Sequence, residues 1–158
     1  MRRLIAARAA FAVAILAPFA PAQNATVDHL TKTEILARAK DLQAQAAKGG
    51  AASIKLAEYP NHYTMVALRD RSGGAEIHQD YADFFYIVRG RATLLTGGTV
   101  VDEQAVSPGE VKGRSIQNGI ATALGEGDVV HIPAGVSHQI VLPEKGELVY
   151  FVIKVKEK

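Results

Sequence analysis

The segment Gly127-Asp-Val-Val-His-Ile-Pro133-Ala-Gly135-Val-Ser-His138 constrains the fold more than any other part of the chain. It reads G-x5-P-x-G-x2-H: a short apolar strand entered through glycine, stopped by a proline–glycine turn and followed by histidine. Proline removes a donor from a β-ladder and glycine allows the backbone to reverse, so the strand must end there. An earlier block has a similar build. Glu76-Ile-His78 is followed by Asp83 and then Gly90, giving E-x-H-x4-D-x6-G. Side chains at i and i+2 of a strand share one face, so Glu76 and His78 can converge on one point inside a barrel. Asp83 stands just before the next strand-forming run, and His138 follows the proline–glycine turn. Four side chains able to ligate a metal thus stand among the turn residues of a small β-barrel.

The rest of the chain from Ser53 onward supports such a barrel. His62 to Arg69, Ala75 to Gln79, Phe84 to Arg89 and Arg91 to Thr96 are rich in strand formers. So are Thr99 to Asp102, Ile120 to Leu124, Val129 to Ile132, His138 to Leu142 and Leu148 to Val155. Gly97-Gly98 is a two-residue hairpin signal between two of these runs. Short strands separated by glycine-rich turns, with no regular β–α alternation, point to an all-β sandwich or barrel. Glu103 to Gly119 breaks the pattern and is expected to be an irregular surface excursion. Upstream, residues 31–48 read as a helix. Thr31 and Glu34 form a capping box, and Ile35, Leu36, Ala39, Leu42 and Ala46 share one face. Gly49-Gly50 stops it. The helix is expected to pack outside the barrel or to serve as a homodimer contact.

The two blocks resemble the paired motifs of the cupin superfamily, G-x5-H-x-H-x3,4-E-x6-G and a second motif ending in H-x3-N. The resemblance covers roughly Tyr63 to Lys154. It implies a single-domain jelly-roll β-barrel over residues 53–158, with metal ligands lining its interior. This sequence departs from the pattern at three places. Glu76 stands where the family has its first histidine, Asp83 replaces the glutamate, and Leu142 replaces the terminal asparagine. The implied ligands are therefore Glu76, His78, Asp83 and His138, with Asp83 as fourth ligand or as general base. Two imidazoles and up to two carboxylates suit a divalent Zn, Mn, Fe or Ni ion. A rival register, His78-Gln-Asp80 with distal His138, has the H-x-D…H form of iron oxygenases. His131, His62 and His29 are expected to pack or to lie at the surface. Tyr63, Tyr81, Phe84, Phe85, Tyr86, Tyr150 and Phe151 are expected in the core or barrel wall.

The N-terminus has the three parts of a secretory signal peptide over residues 1–22. Arg2, Arg3 and Arg8 precede and flank a short apolar run, and Ala20-Pro21-Ala22 supplies a cleavage signal. The expected location is the periplasm or outside the cell, with residues 23–52 as an N-terminal segment. Removing the leader takes three of the 18 Lys+Arg, leaving 15 against 16 acidic residues and a charge of −1. No basic nucleic-acid footprint remains, and no apolar run is long enough for stable membrane insertion. The chain has no cysteine, which excludes disulfides, thiolate metal sites and thiol chemistry. The expected function is that of an exported metal-binding cupin enzyme acting on a small molecule within the barrel. Its chemistry would be of lyase, isomerase or dioxygenase type. The alternative is a non-catalytic small-molecule or metal-binding module.

Overall fold

The structure, a computed structural model, describes residues 27–157. The expected leader, residues 1–22, lies outside them. Among the described residues one helix, α1 (Lys32–Gly49), precedes thirteen strands. These are β1 (Ala51–Glu58), β2 (His62–Arg69), β3 (Ala75–His78), β4 (Tyr81–Gly90), β5 (Ala92–Thr96), β6 (Thr99–Val101) and β7 (Gln104–Ser107). The chain continues through β8 (Glu110–Gly113), β9 (Ser115–Gln117), β10 (Ile120–Leu124), β11 (Val129–Ile132), β12 (His138–Val141) and β13 (Leu148–Lys156). Five strands form one sheet in the order β1-β2-β13-β4-β11. Six form another in the order β10-β5-β12-β3-β8-β7, and β6 pairs separately with β9. Every pairing is antiparallel.

The two large sheets face each other across one core, as in a jelly roll. Phe85, Ile87, Tyr150 and Val152 come from the five-stranded sheet and meet Ala92, Leu94 and Ile140 from the six-stranded one. Strand alternation assigns the faces. On β13, Leu148, Tyr150 and Val152 point inward, while Val149 and Phe151 belong to a second cluster on the outer face. Helix α1 covers that outer face with Ile35, Ala39, Leu42 and Ala46, packed on Val66, Leu68, Val88 and Val149. Burying each larger aliphatic side chain contributes about 1.5–3 kcal/mol, so α1 is fixed by its apolar stripe. The expected capping box is present. The Glu34 amide donates to the Thr31 hydroxyl, and the Thr31 amide donates to the Glu34 carboxylate. Gly50 ends the helix in the left-handed region, at φ 87°. No helix among the described residues is long and apolar enough to cross a membrane.

Two expectations need correction. Gly97-Gly98 does form a turn with both φ positive, at 68° and 70°. It does not close a hairpin, however, because β5 pairs with β10 and β12 while β6 pairs with β9. The turn instead carries the chain from one sheet to another. Glu103 to Gly119 is likewise no irregular excursion. It holds β7, β8 and β9; β8 joins β3, and β7 forms the sheet edge.

Candidate metal centre

The site forms where inward-facing positions of both sheets meet. Glu76 and His78 lie on β3, two residues apart, and face inward together. His138 opens β12 directly opposite Glu76. The Pro133-Ala-Gly135 turn that delivers it is tied to β3, since the Gly135 amide donates to the His78 carbonyl at 2.8 Å. Gly135 itself takes φ 81°, a conformation open to glycine at little cost. Glu76, His78 and His138 each offer one ligand atom, all within 4.8 Å of one another, and this group can hold a metal ion.

Asp83 faces the same point from β4 and is 2 % exposed. Its Oδ2 lies 3.5 Å from His78 Nε2 and 3.5 Å from His138 Nε2. Glu76 Oε2 lies 3.8 Å from His78 Nε2. Donors held about 2.1 Å from a metal stand about 3.4 Å apart in a tetrahedron and about 3.0 Å apart in an octahedron. The observed separations are those of a slightly open donor cage.

The two imidazoles are oriented from behind. His138 Nδ1 lies 3.1 Å from the Val136 carbonyl, which can only accept, so Nδ1 carries the hydrogen. His78 Nδ1 lies 2.6 Å from the Glu110 carboxylate on β8, directly across the β3–β8 ladder. Both rings therefore donate through Nδ1 and turn Nε2 toward the centre, the arrangement of metal-ligating histidines with an outer hydrogen-bond partner. Burial pushes the His138 pKa below its ordinary value; the bond to Val136 and the charge of Asp83 oppose this without reversing it. A neutral His138 so oriented presents a lone pair at Nε2. That lone pair faces a carboxylate oxygen, acceptor against acceptor, and a cation between them would resolve the conflict. The donor set therefore fits a divalent ion on its own geometry.

Three cations surround this centre. Lys154, on β13, is paired in register with Asp83 and brings Nζ to 2.6 Å from Oδ1. The ammonium meets Oδ1 as a charge, without the alignment of a hydrogen bond. Lys112 lies 3.6 Å from Glu76 at the more exposed edge. Arg69, on β2, donates from Nε to the Tyr150 hydroxyl at 3.1 Å. Burial alone would raise the Glu76 pKa, but Arg69 and Lys112, with the two histidines, outweigh it and hold the carboxyl below its ordinary range. Burial also pushes the Tyr150 phenol up, against the opposing pull of Arg69. A cavity of about 280 Å³ opens onto these groups, with Met65, Phe85, Ile140 and Val152 among its apolar lining.

All four residues expected at the site are brought together, with Asp83 beside the three-residue group rather than counted in it. Asp80 of the rival register is not: its carboxylate lies toward Gly109 in the turn after β3. His131 stacks on Phe84 with ring centroids 4.3 Å apart, and His62 stacks on Tyr59 at 4.4 Å. His29 is exposed. Glu110, Lys154 and Arg69 had not been expected here.

No family model matches the chain, and no curated protein matches it. Solved structures do. A protein with a double-stranded β-helix domain from Klebsiella pneumoniae superposes with a TM-score of 0.51 at 15% identity, covering 68% of this chain and 74% of that one. The cupin domain of Cnp3 from Schizosaccharomyces pombe gives 0.51 at 12% identity, over 68% and 65%. The DMSP lyase DddQ from Ruegeria pomeroyi gives 0.50 at 16% identity, over 68% and 47%. The chain thus spans about half the length of the DMSP lyase chains it matches. Identities this low speak for architecture alone, and on that ground the chain has the cupin fold, a double-stranded β-helix jelly roll.

Proposed function

We propose that this chain is an exported metal-binding cupin that acts on a small molecule in its barrel cavity, with Glu76, His78 and His138 as the metal ligands. The observation that carries the reading is the orientation of the two imidazoles. Each commits Nδ1 to an acceptor and aims Nε2 at Asp83 Oδ2, 3.5 Å away. Two imidazoles and a carboxylate suit Zn, Mn, Fe or Ni. Bound there, such an ion would supply Lewis-acid polarisation of an oxygen on the small molecule. Export rests on the basic, apolar and Ala-x-Ala parts of residues 1–22.

Asp83 is the proton acceptor in this reading. Lys154 neutralises its Oδ1 side and fixes the carboxylate, so Oδ2 stands beside the ligand atoms. A fixed base next to a Lewis acid suits abstraction of a proton adjacent to a polarised carbonyl, which is lyase or isomerase chemistry. DMSP lyases of the same fold lend support by analogy. Metal-loaded protein assayed on small oxo- and hydroxy-acids tests the reading. Asp83→Asn is expected to lower kcat by about 10²- to 10⁴-fold while weakening metal binding less than His78→Ala or His138→Ala does. Full turnover in Asp83→Asn would remove Asp83 from the chemistry. Bound metal without turnover on any compound would favour the non-catalytic binding module.

A further inference from the structure

We propose that the cavity selects a small carboxylate and that Arg69 grips its carboxyl group. The inference rests on the metal-binding reading and names the ligand class for the same cavity. Arg69 is the inward-facing residue at the end of β2 and lines the cavity together with Glu76, His78 and His138. Its Nε is spent on the Tyr150 hydroxyl, which holds the guanidinium in place. Among the described residues its two terminal nitrogens make no hydrogen bond, although Nη1 rests against Gly73, and no carboxylate lies within ion-pair distance of it. The other cations of the site are matched, Lys154 to Asp83 and Lys112 to Glu76. A partly buried guanidinium with unused donors is costly unless something accepts from it.

The charge balance gives the sign of that acceptor. Counted together, the cations Arg69, Lys154 and Lys112 equal in number the carboxylates Glu76, Asp83 and Glu110 of the cavity and its rim. A divalent ion on neutral imidazoles would leave the loaded cavity at about +2. An anion restores neutrality, and the planar fork of arginine matches a carboxylate through two parallel hydrogen bonds. Met65, Phe85, Ile140 and Val152 offer apolar wall for a short carbon chain rather than a polyhydroxyl body. At about 280 Å³ the space lies at the low end of ligand cavities, which run from about 300 Å³ upward.

Calorimetric titration of metal-loaded protein with malonate, neutral malonamide and inorganic phosphate tests this, with metal content measured on the same samples. Wild-type protein is expected to bind malonate about tenfold or more tightly than malonamide or phosphate. Arg69→Gln should lose about tenfold or more of malonate affinity while keeping its metal, and Arg69→Lys should recover part of the loss. Equal malonate affinity in wild type and Arg69→Gln, both metal-loaded, overturns the inference and leaves the metal reading intact; so does a preference for phosphate or malonamide. A wild-type protein that takes up no metal overturns both. Should Arg69→Gln fail to fold, the Arg69→Lys titration decides the matter: a loss of malonate affinity supports the grip, and an affinity equal to wild type overturns it.

Discussion

Glu110 and Val136 determine what the two central imidazoles can do, because each accepts from Nδ1 and leaves Nε2 as the ligating atom. Removing the outer partner of a metal-ligating histidine costs about 10- to 100-fold in metal affinity. Glu110→Ala should show that loss in a chelator competition, and Glu110→Gln less of it, because the amide oxygen still accepts. Unchanged affinity in Glu110→Ala would mean that Glu110 does not orient His78. The pH dependence follows from His138. Burial holds its pKa below the ordinary value near 6.5, so proton competition at His138 should leave metal affinity flat down to that lowered value and reduce it as pH falls through it. Metal-free protein runs the same way. The unfolded chain protonates this histidine at a higher pH than the folded one, so stability is full above about 6.5 and declines as pH falls through the lowered value. Affinity that rises on acidification would contradict this. Glu110 left no mark in the sequence, since it reaches His78 only through a ladder between residues 32 positions apart. Lys154 was legible in principle. It continues the inward spacing Leu148, Tyr150, Val152 by one more step, but a lysine at a strand end ordinarily reads as solvated.

At the scale of elements, the turns carry the clearest requirements. Gly90 takes φ 95°, and a Cβ there would lie 2.1 Å from the Glu147 carbonyl oxygen. Gly135 takes φ 81°, but a Cβ there would meet nothing nearer than Gln79 Oε1 at 3.6 Å. Gly135→Ala should therefore destabilise by more than the roughly 1 kcal/mol of an ordinary Gly/Ala exchange, through backbone strain alone. Gly90→Ala should cost clearly more, because backbone must move as well. Thermal unfolding of the two variants checks the order, and equal midpoints would contradict it. Strands with apolar alternation and glycine punctuation could be read directly, as could α1 with its cap. Two features could not. Gly97-Gly98 has the composition of a local hairpin, yet each flanking strand found a partner distant in sequence, and turn chemistry says nothing about such pairing. Strand β7 is exposed at all four positions, so it carries no period-two signal of burial.

For the whole molecule, the jelly roll explains why residues from three parts of the chain meet. Facing sheets place β3, β4 and β12 around one end of a shared interior, with β2 and β13 contributing Arg69 and Lys154. The apolar cluster fills the remainder and α1 seals the outer face. The scaffold thus rests on Phe85, Ile87, Leu148 and their neighbours rather than on the site, and replacing the ligands is expected to leave the fold intact. Elemental analysis of wild-type protein and of the His78→Ala/His138→Ala double variant, each purified without a histidine tag and supplied with Zn, Mn, Fe and Ni, is the most direct test. The expected result is about one equivalent of divalent metal in the wild type and loss of that metal in the double variant, with circular dichroism and cooperative unfolding retained. Full occupancy in the double variant, or a folded wild-type protein that takes up none of the four metals, would contradict a metal centre at this site.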